Sequence, residues 1–134
     1  MIKNMVLVTL AVMMMLLSCS KQPQPLAPDY NEPFIGTWVQ SDTDGEILIF
    51  QKADQLSDCR GYIFRSDGSL IERTIAGWCA TPPVVYENYR GNWTTIAEDL
   101  IEIEVDYWGG RTTYKLQLIS VDNLTLKVKY VSDQ

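Results

Sequence analysis

The segment "LIEIEVDYWGGRTTYKLQLIS", Leu100 to Ser120, contains two alternating runs separated by a pair of glycines. Its first run separates apolar from acidic residues, with Ile101, Ile103, Val105 and Tyr107 on one face and Glu102, Glu104 and Asp106 on the other. A period of two indicates a β-strand with one buried and one solvated face. Gly109 and Gly110 favour a tight hairpin, because glycine adopts positive φ at no steric cost. The segment therefore predicts two adjacent antiparallel strands facing one core.

The same alternation extends through about 100 residues, with almost no helical spacing. Short turn signals such as Ser66-Asp67-Gly68 separate the runs. Eight short strands linked in this way predict an all-β fold, an eight-stranded antiparallel up-and-down barrel, in which closure removes the sheet edges. A two-sheet β-sandwich is the alternative. The predicted strands are 36–41, 46–52, 60–66, 69–75, 84–96, 100–108, 112–120 and 123–131.

The first 18 residues are predicted to be a lipoprotein signal peptide. Lys3 provides a positive start, and the apolar run from Met5 to Leu17 is too short to span a bilayer. The sequence "LLSC", Leu16 to Cys19, resembles a bacterial lipobox, which implies that Cys19 is lipidated. Ordinary signal cleavage or a signal anchor, with Cys19 as a free thiol, is the alternative.

Residues 19–33 are predicted to be the lipidated cysteine and a proline-rich tether, and residues 34–134 the barrel domain. The tether contains prolines at positions 23, 25, 28 and 33 and no apolar period, which is typical of a semi-extended spacer. A lipid anchor at Cys19 would make the membrane one partner and place the protein in the cell envelope, on the periplasmic or surface face of the outer membrane.

If Cys19 carries lipid, Cys59 and Cys79 remain as an even pair. An exported chain lies in an oxidising compartment, where such a pair is most simply a disulfide. A redox-active pair would more often have the spacing C-x-x-C, so we predict a structural disulfide that staples the chain near Trp78 and the prolines 82 and 83.

Composition argues against several classes of function. The chain has no histidine, which removes the usual general base and the commonest metal ligand, and we expect neither an enzyme nor a metal or other cofactor. Its 11 Lys and Arg residues are outnumbered by 17 Asp and Glu residues, which argues against nucleic acid as a partner.

Aromatic side chains are the remaining functional signal. They either fill the barrel core or line a ligand site, because an eight-stranded barrel is just wide enough for side chains or one small ligand. The candidate ligand-binding residues are Tyr62, Phe64, Trp78, Tyr107 and Tyr114.

Several motifs point to a family. The chain carries "FIGTW" (34–38), "FRSDGSLIER" (64–73), "GWCATPP" (77–83) and "YENYRGNW" (86–93). Together they resemble the small lipocalin-like lipoproteins of Bacteroidetes, which implies a lipocalin-like barrel. The domain is shorter than a typical ligand-carrying lipocalin, and no helix is predicted after the last strand. The resemblance therefore supports the fold more than it supports a ligand.

Two functions are consistent with this sequence. The first is binding of a small apolar or amphipathic ligand by a lipid-anchored barrel. The second is a non-enzymatic protein-interaction module, such as an inhibitor, immunity or envelope-assembly lipoprotein, with a filled core and a protein partner that the sequence does not identify.

Substituting the predicted lipidation site tests the anchor. We expect Cys19→Ala to release the protein from membranes, because no acyl chain can then be attached at that position. The measurement is the distribution between membrane and soluble fractions, compared with Cys59→Ala as the control. Retention of the Cys19→Ala protein on membranes would contradict the anchor.

Overall fold

The computed structural model of the chain describes residues 32–76 and 83–132. Within these ranges the chain forms eight β-strands that close into an antiparallel barrel, which confirms the predicted fold class. No helix in this part of the chain is long and apolar enough to cross a membrane. The strands are β1 (Gly36–Asp44), β2 (Ile47–Ala53), β3 (Gly61–Phe64), β4 (Ser69–Ile75), β5 (Tyr86–Ala97), β6 (Leu100–Tyr107), β7 (Gly110–Val121) and β8 (Thr125–Val131).

The order of the strands around the barrel is β1-β2-β8-β7-β6-β5-β4-β3. From β3 to β8, each strand pairs with the next one in the chain, as the short turns predict. β2 and β3 are the exception. β3 pairs with the other side of β1, and β2 pairs with β8. Residues 54–60 therefore form a crossing connection rather than a hairpin.

β3 is short, and this leaves an opening in the barrel wall. Its four residues pair with Gly36 to Val39, although β1 continues to Asp44. In the described structure, residues 42–44 of β1 are paired only with β2. We call the gap between this part of β1 and the end of β4 the side slot. The slot exists because the seven-residue connection reaches only the middle of β1.

Aromatic rings close one end of the barrel. Phe34 packs edge-on against Phe64 and Trp93, with ring centroids 5.1 and 5.0 Å apart. The indole N–H of Trp38 donates a hydrogen bond to the Phe34 carbonyl (2.7 Å), and that of Trp93 donates to the Arg65 carbonyl (2.8 Å). Each buried indole N–H thus has a partner, as burial of a polar group requires. We call this end the closed end.

The predicted inward face of β6 is confirmed, but the predicted start of the last strand at residue 123 is two residues too early. Ile101, Ile103 and Val105 are at most 2% exposed. Leu124, in contrast, is 69% exposed and precedes β8. The Asp122 carboxylate accepts hydrogen bonds from the amides of residues 124 and 125 (2.8 and 2.7 Å). These hydrogen bonds to the Asp122 side chain form a turn. Leu124 belongs to this turn rather than to β8, so it does not face the core.

Gly91 tests how closely β5 and β6 approach each other. A Cβ atom at this position would collide with the Glu104 carbonyl oxygen and lie 3.1 Å from the Val105 Cα. We expect Gly91→Ala to lower the free energy of unfolding by about 2–3 kcal/mol, because backbone atoms have to move to relieve the collision. Chemical denaturation is the measurement.

Gly109→Ala is the matched control. Its added Cβ would meet no atom within 4 Å, and its φ does not lie in the left-handed region. Equal stability of the two variants would contradict the close approach at Gly91.

Candidate functional site

A buried carboxylate lies inside the barrel near its open end. Glu72 is on β4, where Leu70 and Glu72 share the inward face, and it is only 2% exposed. It lies opposite Tyr62 of β3 and Tyr89 of β5. A buried charged group requires compensating hydrogen bonds, and the surrounding strands supply them.

Tyrosine hydroxyl groups surround this carboxylate. The Tyr107 hydroxyl donates a hydrogen bond to Glu72 Oε2. The hydroxyl groups of Tyr62 and Tyr114 are hydrogen-bonded to each other at 2.8 Å, and both interact with the Glu72 carboxylate. Residues from β3, β4, β6 and β7 thus meet in one polar cluster. We call Tyr62, Glu72, Tyr107 and Tyr114 the tyrosine–glutamate cluster.

Burial shifts the acid–base equilibria of the cluster. It raises the pKa of Glu72, although hydrogen bonds from Tyr107 and Tyr114 and the charge of Arg60 act in the opposite direction. Burial also raises the pKa of Tyr62, Tyr107 and Tyr114, and the nearby carboxylate adds to this shift. The phenols therefore remain protonated and act as hydrogen-bond donors at neutral pH.

Arg60 spans the open end of the barrel. It precedes β3, and its Nη1 donates a hydrogen bond to the Tyr130 hydroxyl on β8 at 3.2 Å. The Tyr130 ring packs against the ring of Tyr114, with centroids 5.5 Å apart. Arg60 and Tyr130 thus lie next to the tyrosine–glutamate cluster at the rim.

A cavity of about 440 Å³ opens at this end, and we call it the mouth cavity. Its wall combines buried polar groups with exposed apolar ones, of which Trp108 is 59% and Ile75 37% exposed. Such a mixture of apolar surface with a few convergent polar groups is typical of small-molecule sites. The mouth cavity is lined by Arg60, Glu72, Thr74, Ile75, Tyr107, Trp108, Gly109, Gly110, Arg111, Thr112, Tyr114 and Tyr130.

The centre of the barrel is filled with side chains. Phe64, Ile103 and Leu126 are at most 1% exposed, and none of them lines the mouth cavity. The ring of Tyr62 stacks on that of Phe64 with centroids 5.3 Å apart, so it forms the boundary between the filled interior and the polar cluster. The candidate site is therefore the mouth rather than a central cavity.

The structure brings together three of the five predicted ligand-binding residues. Tyr62, Tyr107 and Tyr114 meet around Glu72, and the last two line the mouth cavity. Phe64 lies in the packed interior instead. Trp78 lies outside the described residues, as do Cys19 and Cys79.

Cys59 lines the side slot. It is exposed and forms no disulfide with any described residue. The slot encloses about 470 Å³, and Ile75 and Tyr86, which flank the segment containing Cys79, also line it. The two described residues on either side of this segment thus line the same slot as Cys59, and Cys79 itself lies outside the described residues. The disulfide with Cys79 remains a prediction.

Sequence reasoning missed Arg60 and Glu72 as site residues. One signal was available in "RGYIF", because Arg60 continues the alternation of Tyr62 and Phe64. Glu72 gave a weaker signal, since both faces of "SLIERTI" mix apolar with charged residues. In the described ranges, no group of three His, Cys, Asp or Glu side chains could hold a metal ion.

Comparison with known proteins gave no match. No protein-family model matches the chain, and no curated protein or solved structure is significantly similar to it.

Replacing Glu72 with glutamine tests its buried state through the pH dependence of stability. The pKa of Glu72 is raised above its ordinary value of 4.5 in the folded state, so the folded chain binds this proton more tightly than the unfolded chain. The resulting stabilisation is complete below about pH 4.5 and is lost as the pH rises through the folded-state pKa. We expect wild type to lose stability over this window relative to Glu72→Gln, by about 1.4 kcal/mol per unit of pKa difference.

Asp67→Asn is the matched control. Hydrogen bonds from Ser69 lower the pKa of Asp67, so its contribution to stability is lost only as the pH falls below the ordinary range. Denaturation curves measured between pH 4 and pH 8 should therefore run parallel for Asp67→Asn and wild type towards higher pH. Parallel curves for Glu72→Gln and wild type would show that the carboxyl is not buried as described.

Proposed function

We propose that this protein is a lipid-anchored, lipocalin-like envelope lipoprotein that binds a small amphipathic molecule in its mouth cavity. The closed barrel supports the lipocalin-like part of the proposal. The signal-peptide pattern and Cys19 support the anchor, and the family resemblance rests on the motifs around residues 34–38 and 77–93. Binding, rather than catalysis, is the activity proposed for the site.

The observation that carries the proposal is the composition of the mouth cavity. Its wall places the exposed rings and chains of Trp108 and Ile75 beside Glu72 and the phenols of Tyr107 and Tyr114. A purely structural core has little use for a carboxylate at 2% exposure, because burial of such a group is costly. A ligand with one polar end and one apolar part would match both kinds of surface.

A protein-interaction module is the second candidate. The filled interior favours it, because Phe64, Ile103 and Leu126 leave no central space for a ligand. Large apolar side chains are also exposed near the closed end, where Ile96 is 45% and Leu124 69% exposed. Such residues could contact a partner protein, and this function would not require the mouth cavity.

Blocking the mouth separates the two candidates. Thr112 lines the mouth cavity, and we expect Thr112→Trp to fill it and to abolish saturable binding of the uncharged fluorescent probe N-phenyl-1-naphthylamine. The measurement is a fluorescence titration of wild type and variant, together with native mass spectrometry of the wild type purified without denaturation.

Thr113→Trp is the matched control on the same strand. Thr113 is paired with Glu104 on the outer face, whereas Thr112 is paired with the inward-facing Val105. The control should bind the probe as wild type does. Absence of saturable binding to wild type, or equal binding to Thr112→Trp, would reject the mouth as a ligand site and favour the interaction module.

A further inference from the structure

Arg60 differs from the other arginines near the barrel rim in its partners. Arg73 pairs with Asp58 at 3.0 Å, and Arg111 pairs with Glu104 and Asp106 at 2.9 and 2.7 Å. Among the described residues, no carboxylate lies within 4.0 Å of the Arg60 guanidinium. Its hydrogen bond to the Tyr130 hydroxyl uses one of five N–H donors. Arg60 thus brings to the mouth cavity a charge that forms no direct ion pair with a described residue, although the Glu72 carboxylate lies close enough to interact with it.

The acceptor groups of the same wall are already engaged. The Glu72 carboxylate accepts the Tyr107 hydroxyl and interacts with Tyr62 and Tyr114. The guanidinium of Arg60, which lines both the mouth cavity and the side slot, donates one hydrogen bond to a described residue and retains further N–H donors. A guanidinium binds carboxylate and phosphate groups through parallel charge-assisted hydrogen bonds. The polar end of a fitting ligand should therefore be an acceptor with negative charge.

The apolar part of the wall lies farther out. Trp108 is at the turn between β6 and β7, and Ile75 is the last residue of β4. Both are exposed, whereas Arg60 is half-buried and Glu72 beside it is buried. The filled interior at Phe64 leaves no room for an apolar tail to enter the barrel first. A ligand can therefore match both surfaces only with its polar end innermost.

We infer that the ligand is an amphipathic anion, carrying a carboxylate or a phosphate monoester, that enters the mouth head first. Arg60 binds the anionic group, and Ile75 and Trp108 cover the apolar part. This inference rests on the proposed function, because it specifies the ligand class of the same mouth cavity.

Four probes with one tail and different head groups test the inference. They are laurate, dodecyl phosphate, dodecanol and dodecyltrimethylammonium, each titrated by calorimetry below its micelle concentration or, for dodecanol, below its solubility limit. We expect the two anions to bind wild type at least about tenfold more tightly than dodecanol, as charge-assisted hydrogen bonds predict. The ratio between laurate and dodecyl phosphate then distinguishes the two sources of the anionic group.

Arg60→Met retains much of the aliphatic stem and removes the donors. We expect it to reduce the preference for the anions over dodecanol to within about twofold, while dodecanol still binds and reports an intact site. Arg60→Lys should restore part of the preference, because it restores the charge without the planar fork. Arg111→Met is the matched control, because Arg111 lines the same cavity but is already neutralised by Glu104 and Asp106. This variant should retain the wild-type preference.

The outcomes separate this inference from the proposed function. Equal binding of laurate and dodecanol to wild type, tightest binding of the ammonium probe, or an unchanged preference in Arg60→Met would overturn the inference and leave amphipathic binding in place. If none of the four probes binds to wild type, both the proposed function and the inference are rejected.

Discussion

Closure of the barrel determines what each residue on its strands can do. The pairing of β2 with β8 and of β3 with β1 joins the two edges of the sheet. Alternate residues on each strand must therefore point into one enclosed space. That space is narrow, so large side chains fill it from the closed end upwards. Phe34, Trp38 and Trp93 occupy the bottom, and the buried indoles use nearby backbone carbonyls as acceptors. The buried polar side chains, including the tyrosine–glutamate cluster, lie at the open end instead.

Closure of the barrel also explains why Glu72 is buried. Its position on β4 requires it to face inward, where it is 2% exposed and, among the described residues, has no arginine within ion-pairing distance. Three tyrosines from different strands stabilise it instead, and their phenols supply donors that remain protonated. The cluster links β3, β4, β6 and β7 across the barrel. A polar network of this kind is stable only when every member has a partner, so it fixes the shape of the mouth as well as its charge.

The sequence predicts those features that depend on local pattern. Strict alternation predicts the inward face of β6, and the glycine turns predict the β3–β4 and β6–β7 hairpins. The sequence does not predict the pairing of β1 with β3. That pairing depends on the path of residues 54–60, which show no alternation of apolar and polar residues. Glu72 escaped prediction for a related reason. In "SLIERTI" each face carries both apolar and charged residues, and only the register with Tyr62 determines which one is buried.

The short β3 connects the fold to the site. Gly61 allows close approach to β1, since a Cβ atom there would lie 2.6 Å from the Trp38 carbonyl oxygen and equally near the Leu56 side chain. Regular pairing with β1 starts only at this glycine, so Arg60 lies just outside the β1–β3 ladder, held there by the hydrogen bond from the Gln40 amide to its carbonyl (2.8 Å). From that position its side chain reaches Tyr130 on β8, although β1 and β2 lie between the two strands. A longer β3 would close the side slot and place Arg60 within a ladder, where its reach across the mouth would be constrained. The crossing connection and the short β3, which depart from a simple up-and-down meander, therefore place the Arg60 guanidinium at the mouth.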